Sequence, residues 1–521
     1  MPEYADYAGI AWYRRQLTLP PMAGEAQVRL CFGAVFYLAQ VWWNGVYLGE
    51  HEGGYTPFEF DVSGLALPGE ANVLTVRVDN QRAMDRLPAA LLTHWAYDWW
   101  HYGGIVREVA LHLSSRAFPV RLVGLTRHAD SPAYGLAEPV TVLAADFSDL
   151  KRLNAVLSRP IYYPQADSAL DYADRHGLLL IPEIPVWQLS ATQLAHPRLR
   201  ALAQQQLQEM IHSHANHPAV WAWSVGNEFA SDTAAGHAFV RQMIAVAKSL
   251  DPTRPAGFAS NRLGHQPWAD ATALADIVMI NAYFGTWSRP KAKLGPTLDA
   301  IHAVWPDKPV IVSEYGFAAR WEWIHRRAGG DVSQYYTVSP ERASDTEAAD
   351  RLRQQLIHEQ LPVFRNRPFV AGAVFFTYQD HRTPNKLMMG VVDAQRQRRD
   401  FWAVLREAYA PAGIDAVHMS QAVDGTCRAT VILHTRGPVE RDLPAYSLRG
   451  YRLAWTVAAP EEQEVWAQGI IDLPTLHPGV KWSGAMEWTV PIADYRLMLR
   501  LLRPTGFAVL EHTYNAHGGR Q

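Results

Sequence analysis

The stretch "AVWAWSVGNEFA", residues 219–230, runs an apolar segment into an abrupt Asn227-Glu228 pair. Bounded by "NHP" before it and "ASDT" after it, the segment has the length and flanks of a strand covered on both faces. Ending such a strand on Asn-Glu puts an amide and an acid at the rim of the core. There partial desolvation can raise a carboxyl pKa, and an amide can hold a ligand hydroxyl. The competing reading is that Glu228 only caps the next helix, and the rest of the chain decides between the two.

Outward from this stretch, strand, loop and helix alternate from about residue 120. The strand candidates are "VRLVGLTR", "VLSRPIYYP", "LLLIPEIPVW", "AVWAWSVGNE", "RPAGFAS", "DIVMINAYFG", "PVIVSEYG" and "VAGAVFFTYQD". Helical patterns follow nearly all of them, the one after "RPAGFAS" being poorly marked, which predicts a (β/α)8 TIM barrel. Residues 9–113 read instead as short alternating segments broken by Gly, Pro and Asp turns, the pattern of an all-β sandwich. Alternation returns from about residue 412, as in "TCRATVILHT" and "YRLMLRLLRP". The expected domains are 1–116, 117–411 and 412–521, the last a small immunoglobulin-like β-sandwich.

On this layout Glu228 closes the fourth barrel strand, and Glu314 of "PVIVSEYGFAA" closes the seventh. Both then lie at the C-terminal face, where barrel enzymes assemble their chemistry. Two facing carboxyls at a barrel mouth suit glycosidic bond cleavage, one protonating the leaving oxygen while the other attacks or activates water. Aromatic content agrees: 19 Trp, 22 Tyr and 17 Phe make up 11% of the chain, and sugar C–H faces stack on such rings.

The 521 residues allow several cores. A net charge of −3 with scattered basic residues excludes an electrostatic case for nucleic acid or anionic membrane, so neither is an expected partner. Cys31 and Cys427 stand far apart, giving no disulfide framework and no metal-ligand pattern. Neither cofactor nor metal is expected. The opening "MPEYADYAGIAWYRRQL" has no apolar core of signal-peptide type, and no stretch reaches membrane-span length. A cytoplasmic location is the expectation, unless an upstream segment carries a signal; a homo-oligomer is left open.

Longer motifs carry a resemblance. "VWWNGVYLGEHEGGYTPFEFDVSGL" and "YDWWHYGGIVREV" are similar to the sugar-binding jelly roll of glycoside hydrolase family 2. "GLTRHADSP", "EIPVW", "NHPAVWAWSVGNE", "INAYFGTW" and "SEYG" resemble its barrel. The resemblance covers nearly the whole chain and implies an N-terminal β jelly roll and a retaining exo-β-glycosidase acting by double displacement. It implies Glu228 as acid/base and Glu314 as nucleophile. It further implies Asn227 on the sugar 2-hydroxyl, Tyr283 beside the nucleophile, and Asp98 of "AYDWWHYGG" on sugar hydroxyls. His128 and Asp130 match a His-Glu-Asp run after the first strand, His128 bonding sugar or packing the rim.

The departures are specific. The family's middle immunoglobulin-like domain is absent, since "REVALHLSSRAFPVRLVGLTRHAD" passes almost directly from jelly roll to barrel; "YAGIAWYRRQLTLP" resembles a family stretch that commonly lies a few tens of residues in, so the jelly roll is expected to be short of one strand here. In "RPIYYP", Arg159 is kept while Tyr162 stands where the family has His. Phe376 replaces a Trp that floors the sugar site. "TPNKLMMGVVD" lacks the glucuronide spacing, which ranks β-galactoside first and β-glucuronide next. The long loop after Glu314 carries Trp321, a candidate for leaving-group subsites or an oligomer contact. A non-hydrolytic, degenerate carbohydrate-binding protein on the same scaffold is the alternative.

Overall fold

The structure is a computed structural model. It describes all residues except 1–6, 20–25, 82–102, 116–119, 265, 287–288, 317–334, 337–345, 383–388, 421–425, 438–442, 461–463, 492–493, 517–518 and 520–521. Two compact units divide the chain, residues 1–119 and 120–521.

In the first unit one sheet runs in the order Ile10–Thr18, Ala71–Asp79, Leu38–Trp43, Val46–Glu52, and a second in the order Phe58–Asp61, Ala26–Phe32, Val109–Ser115. Alternate residues of both sheets, among them Val28, Leu30, Phe32, Val41, Trp43 and Val76, form one core, the sandwich expected from the period-two pattern. Asn44 and Gly45 both take positive φ (51° and 83°) to turn the hairpin between Leu38–Trp43 and Val46–Glu52, as Asn-Gly pairs do. The sandwich ends at Ser115 and the barrel begins at Leu122, so the chain passes directly between them.

Eight parallel strands build the barrel: Leu122–Arg127, Leu157–Pro160, Leu179–Leu180, Trp223–Asn227, Ala256–Ser260, Val278–Asn281, Val310–Tyr315 and Val370–Phe375. They are paired in sequence order, with the first strand beside the eighth. The bridges Leu180–Val220, Glu183–Ser224 and Trp187–Asn227 complete the ring between strands three and four. Leu122, Leu157, Ile181, Met279, Ile311 and Val374 fill the interior. Val123, Leu125, Val225 and Val312 face outward to the helices. The fifth strand is followed only by 3-10 turns, Pro267–Ala269 and Ala271–Leu274, which is why no helical period marks that segment.

The chain ends in a second sandwich. Its three-stranded sheet is Ala412–Met419, Thr426–Thr435 and Lys481–Thr489. Its four-stranded sheet is Val465–Asp472, Arg452–Ala458, Arg496–Leu502 and Ala508–Asn515, and the two share one core. The Asn154 side chain ties this domain to the barrel, donating to the carbonyls of Arg406 and Val509 at 2.9 Å each.

Candidate active site

Local backbone geometry decides where the Glu228 carboxylate goes. The fourth strand is buried from Trp223 to Asn227, and its register with the fifth strand slips between Ser224 and Asn227. Gly226 sits at φ +143°, and a Cβ there would lie 2.6 Å from the Val186 carbonyl oxygen, so the position requires glycine. This bulge turns the strand end, and Glu228 follows at φ +52°, a costly conformation for a non-glycine residue. Its amide is held by the Ala259 carbonyl at 2.8 Å. The carboxylate therefore leaves the strand at the rim instead of entering the core.

Glu314 is buried at the end of the seventh strand, beside a similar register slip that sets it opposite Asn281. Its Oε1 accepts from Arg159 Nη1 at 2.6 Å and its Oε2 from the Tyr283 hydroxyl at 2.6 Å. The other Arg159 terminal nitrogen donates to Glu183 Oε2 (2.7 Å) and to Asn227 Oδ1 (2.8 Å). Asn281 Nδ2 donates to the same Asn227 oxygen (3.1 Å) and to Glu228 Oε1 (2.8 Å), while Gln188 Nε2 donates to Glu228 Oε2 (2.9 Å). Ser313 orients Asn281, and Ser224 orients Glu183. Both carboxyls thus belong to one network drawn from strands two, three, four, six and seven.

Two features of this network bear on chemistry. First, Asn227 Oδ1 receives two donors, which fixes the amide with Nδ2 outward; that nitrogen is buried and has no partner among the described residues. An unpaired buried donor is costly, and a ligand hydroxyl would relieve it. Second, burial pushes the Glu314 carboxyl up to about 7; Arg159 opposes the rise, Glu228 adds to it, and the Tyr283 hydroxyl opposes it again. Burial also works against the Arg159 charge, but Glu183 and Glu314 outweigh it and the guanidinium stays charged. Burial, then Glu314, hold the Tyr283 hydroxyl in its protonated, donating form.

An aromatic wall adjoins the carboxyls. Phe376 lies 6.0 Å from Tyr283 between ring centroids, and both pack with Tyr162, Ile161 and Met389. His128 meets Tyr162 edge-on at 5.4 Å and stacks on His381 at 3.9 Å. Burial, then His381 and the nearby arginines, keep His128 neutral, and its Nε2 has no partner among the described residues. The Asp130 carboxylate is directed elsewhere, accepting the Arg382 backbone N–H at 2.5 Å. Asp98 and Trp321 lie outside the described residues.

The structure therefore assembles Glu228, Glu314, Asn227, Tyr283 and Arg159 in one network, with Tyr162, Phe376 and His128 beside it. It adds residues the sequence reading passed over: Glu183, Gln188, Asn281 and, at the mouth, the exposed Trp187, 6.1 Å from Tyr162. Glu183 carried a readable signal, since "LLLIPE" is another apolar strand ending on an acid. Asn281 and Gln188 carried none. Among the described residues no cluster of three or more His, Cys, Asp or Glu could hold a metal, and no helix is long and apolar enough to cross a membrane.

The chain is similar to known proteins over most of its length. A β-glucuronidase of Felis catus is 22% identical over 576 aligned residues, spanning 81% of this chain and 84% of the relative. One of Paenibacillus borealis is 22% identical over 556, spanning 78% and 89%. Among solved structures, β-glucuronidase from Ruminococcus gnavus in complex with C6-substituted uronic isofagomine is 19% identical with a TM-score of 0.49, covering 78% of this chain and 89% of that one. Residues 1–114 match the model of the glycosyl hydrolases family 2 sugar binding domain. Residues 106–414, more than half of the chain, match that of the family's TIM barrel domain. This chain belongs to glycosyl hydrolase family 2.

Proposed function

We propose that the protein is a retaining exo-β-glycosidase in which Glu314 is the nucleophile and Glu228 the acid/base. The observation that carries the reading is the unequal support of the two carboxyls. Glu314 is buried against the Arg159 guanidinium and the Tyr283 hydroxyl, whereas half-buried Glu228 accepts, among the described residues, from the neutral amides of Asn281 and Gln188. Arg159 and the Tyr283 hydroxyl oppose the effect of burial and favour negative charge on Glu314, the charge that attack on an anomeric carbon requires, while Glu228 stands at the rim where a leaving oxygen can be reached.

In the first step a Glu314 oxygen bonds to the anomeric carbon as the glycosidic bond breaks, and Glu228 protonates the departing oxygen. In the second, Glu228 takes a proton from water, the water oxygen bonds to the anomeric carbon, and Glu314 is released as carboxylate. Asn227 Nδ2 is the donor suited to the 2-hydroxyl, and the Phe376–Tyr162 wall suits the sugar's C–H face. The curated relatives are named β-glucuronidases, which supports placing a terminal β-glucuronide ahead of a β-galactoside, the reverse of the order drawn from the residues alone.

The test is a panel of 4-nitrophenyl β-glycosides, with β-D-glucuronide, β-D-galacturonide and β-D-galactoside among them, followed by mass spectrometry after a 2-fluoro glycoside of the accepted sugar. The expected result is turnover of the glucuronide and a mass increment on the peptide bearing Glu314. Binding without turnover of any member would return the chain to a carbohydrate-binding role, and a label on another residue would remove Glu314 as nucleophile.

A further inference from the structure

The third barrel strand ends at Leu180, but the chain beyond it stays bonded to the end of the fourth. The Asn227 N–H donates to the Val186 carbonyl (2.8 Å), the Gln188 N–H to the Asn227 carbonyl (2.9 Å) and the Ala230 N–H to the Leu189 carbonyl (2.9 Å), a ladder that passes on both sides of Glu228. Gln188 is held at φ +51°, beside Glu228 at +52° on the neighbouring segment. Two non-glycine residues in the left-handed region are strain that persists only where the surrounding structure imposes it. Within this ladder stands Trp187, 46% exposed, its ring 6.1 Å from that of Tyr162 between centroids and inclined to it by 43°. An exposed indole on backbone so fully bonded is a surface fixed in advance of any ligand.

The hydrogen bonds of Glu228 set the direction in which a leaving group departs. Asn281 is fixed in orientation, because its Oδ1 accepts from the Ser313 hydroxyl at 2.8 Å and its Nδ2 donates both to Asn227 and to Glu228 Oε1. Glu228 Oε1 therefore receives an N–H in every state, which leaves Oε2 as the oxygen that carries the transferable proton. Oε2 is the oxygen that meets the exposed Gln188 amide, one residue from Trp187. Tyr162, the ring next to Trp187, is within electrostatic reach of both Glu314 and Glu228, so the indole stands on the side of the site where the proton is given.

From this arrangement we infer that Trp187 is the platform of the leaving-group subsite and that the subsite selects a planar, apolar aglycone, a phenol or related aryl alcohol, over a sugar; the inference rests on the hydrolase reading above. The segment that carries Trp187 offers apolar surface, with Pro185 exposed and Leu189 half-buried. Its polar groups are already engaged: the Val186 carbonyl and the Gln188 N–H in the ladder, and the Ser190 side chain in a capping box with Gln193. A sugar leaving group carries hydroxyls around its rim, each of which needs a partner once water is displaced. An aryl group needs a flat face to stack on and one proton at its departing oxygen, which are what Trp187 and Glu228 Oε2 supply. Tyr162 then serves both halves of the substrate, walling the sugar on one side and adjoining the Trp187 platform on the other.

The test compares three substrates of the accepted sugar in the full chain and in Trp187→Ala and Trp187→Phe: the 4-nitrophenyl glycoside, the glycosyl fluoride, which has no ring to stack, and a disaccharide with that sugar at its non-reducing end. Trp187→Ala should lower kcat/KM on the nitrophenyl glycoside by about three- to tenfold more than on the fluoride, and the disaccharide should respond as the fluoride does. Trp187→Phe, which keeps a ring, should recover most of the loss. Equal losses on all three substrates would mean that Trp187 only supports its loop and would overturn the platform. A loss confined to the disaccharide would overturn the aglycone class. Should the chain cleave no glycoside, the hydrolase reading falls and the platform is judged separately, by isothermal titration of the Glu314→Gln chain with 4-nitrophenyl and methyl β-D-glucuronide. Trp187→Ala weakening only the nitrophenyl ligand upholds the platform, and weakening neither, or both equally, overturns it.

Discussion

Tyr283→Phe deletes one oxygen and leaves the ring against Phe376. The lost hydroxyl donates 2.6 Å to Glu314 Oε2 inside a buried site. A hydrogen bond to a charged group is worth roughly 1.5–3 kcal/mol, and one pKa unit corresponds to about 1.36 kcal/mol. Removing a bond that favours the ionised form should raise the Glu314 pKa by roughly one to two units. In the unsubstituted protein burial already places it at about 7. Because attack requires the carboxylate, kcat/KM should rise with pH along an acid limb near that value, and the substitution should carry the limb to roughly 8–9. At pH 6 the variant should be slower by about 10- to 100-fold from this cause, and the deficit should shrink as pH rises through the new limb. The assay is kcat/KM on an activated nitrophenyl glycoside from pH 5 to 10. The two carboxyls interact, so the limb is read as the apparent pKa of the pair. A uniform loss at every pH with the limb unmoved would show that Tyr283 serves packing alone, and a limb moved to lower pH would refute the electrostatic account.

Three further outcomes follow from the same geometry. Glu228→Ala should lower kcat by about 10²- to 10⁴-fold for glycosides with poor leaving groups and far less for dinitrophenyl glycosides, which need little protonation; equal losses across a leaving-group series would argue against general acid catalysis by this residue. Asn227→Ala should cost about 1–3 kcal/mol of transition-state binding, measured as kcat/KM, but little on a 2-deoxy glycoside, because the unpaired Nδ2 then has no hydroxyl to meet. Glu314→Gln tests the sign of the buried charge. A carboxyl raised from 4.5 to about 7 binds its proton more tightly folded than unfolded, so its contribution to stability falls as pH rises between those values. The variant should therefore melt higher than the parent at pH 8 and about equally at pH 4; the opposite order would mean that Arg159 gains more from the charge than burial takes away.

Much of this site could be read along the chain because its strongest signals are local. A barrel strand buried on both faces is a short apolar run, so an acid at its end stands out, and "WSVGNE" and "IVSEYG" each announce one. The same period-two and strand-helix rhythms marked the two sandwiches and the eight barrel strands, and the missing rhythm after "RPAGFAS" became a pair of 3-10 turns. What depended on tertiary structure was the pairing of side chains from strands distant in sequence. Nothing within "RPIYYP" says that Arg159 divides its donors among Glu314, Glu183 and Asn227, 155, 24 and 68 residues away. Asn281 reads as an ordinary strand-end amide until a register slip places it opposite Glu314 and its side chain reaches Glu228. Asp130 sits in a motif that resembles a sugar-binding run, yet its carboxylate accepts the backbone N–H of Arg382, 252 residues away. Apolar periodicity is set residue by residue and survives in one dimension; hydrogen-bond partners in a closed barrel are set by register and closure, which exist only once all eight strands are in place.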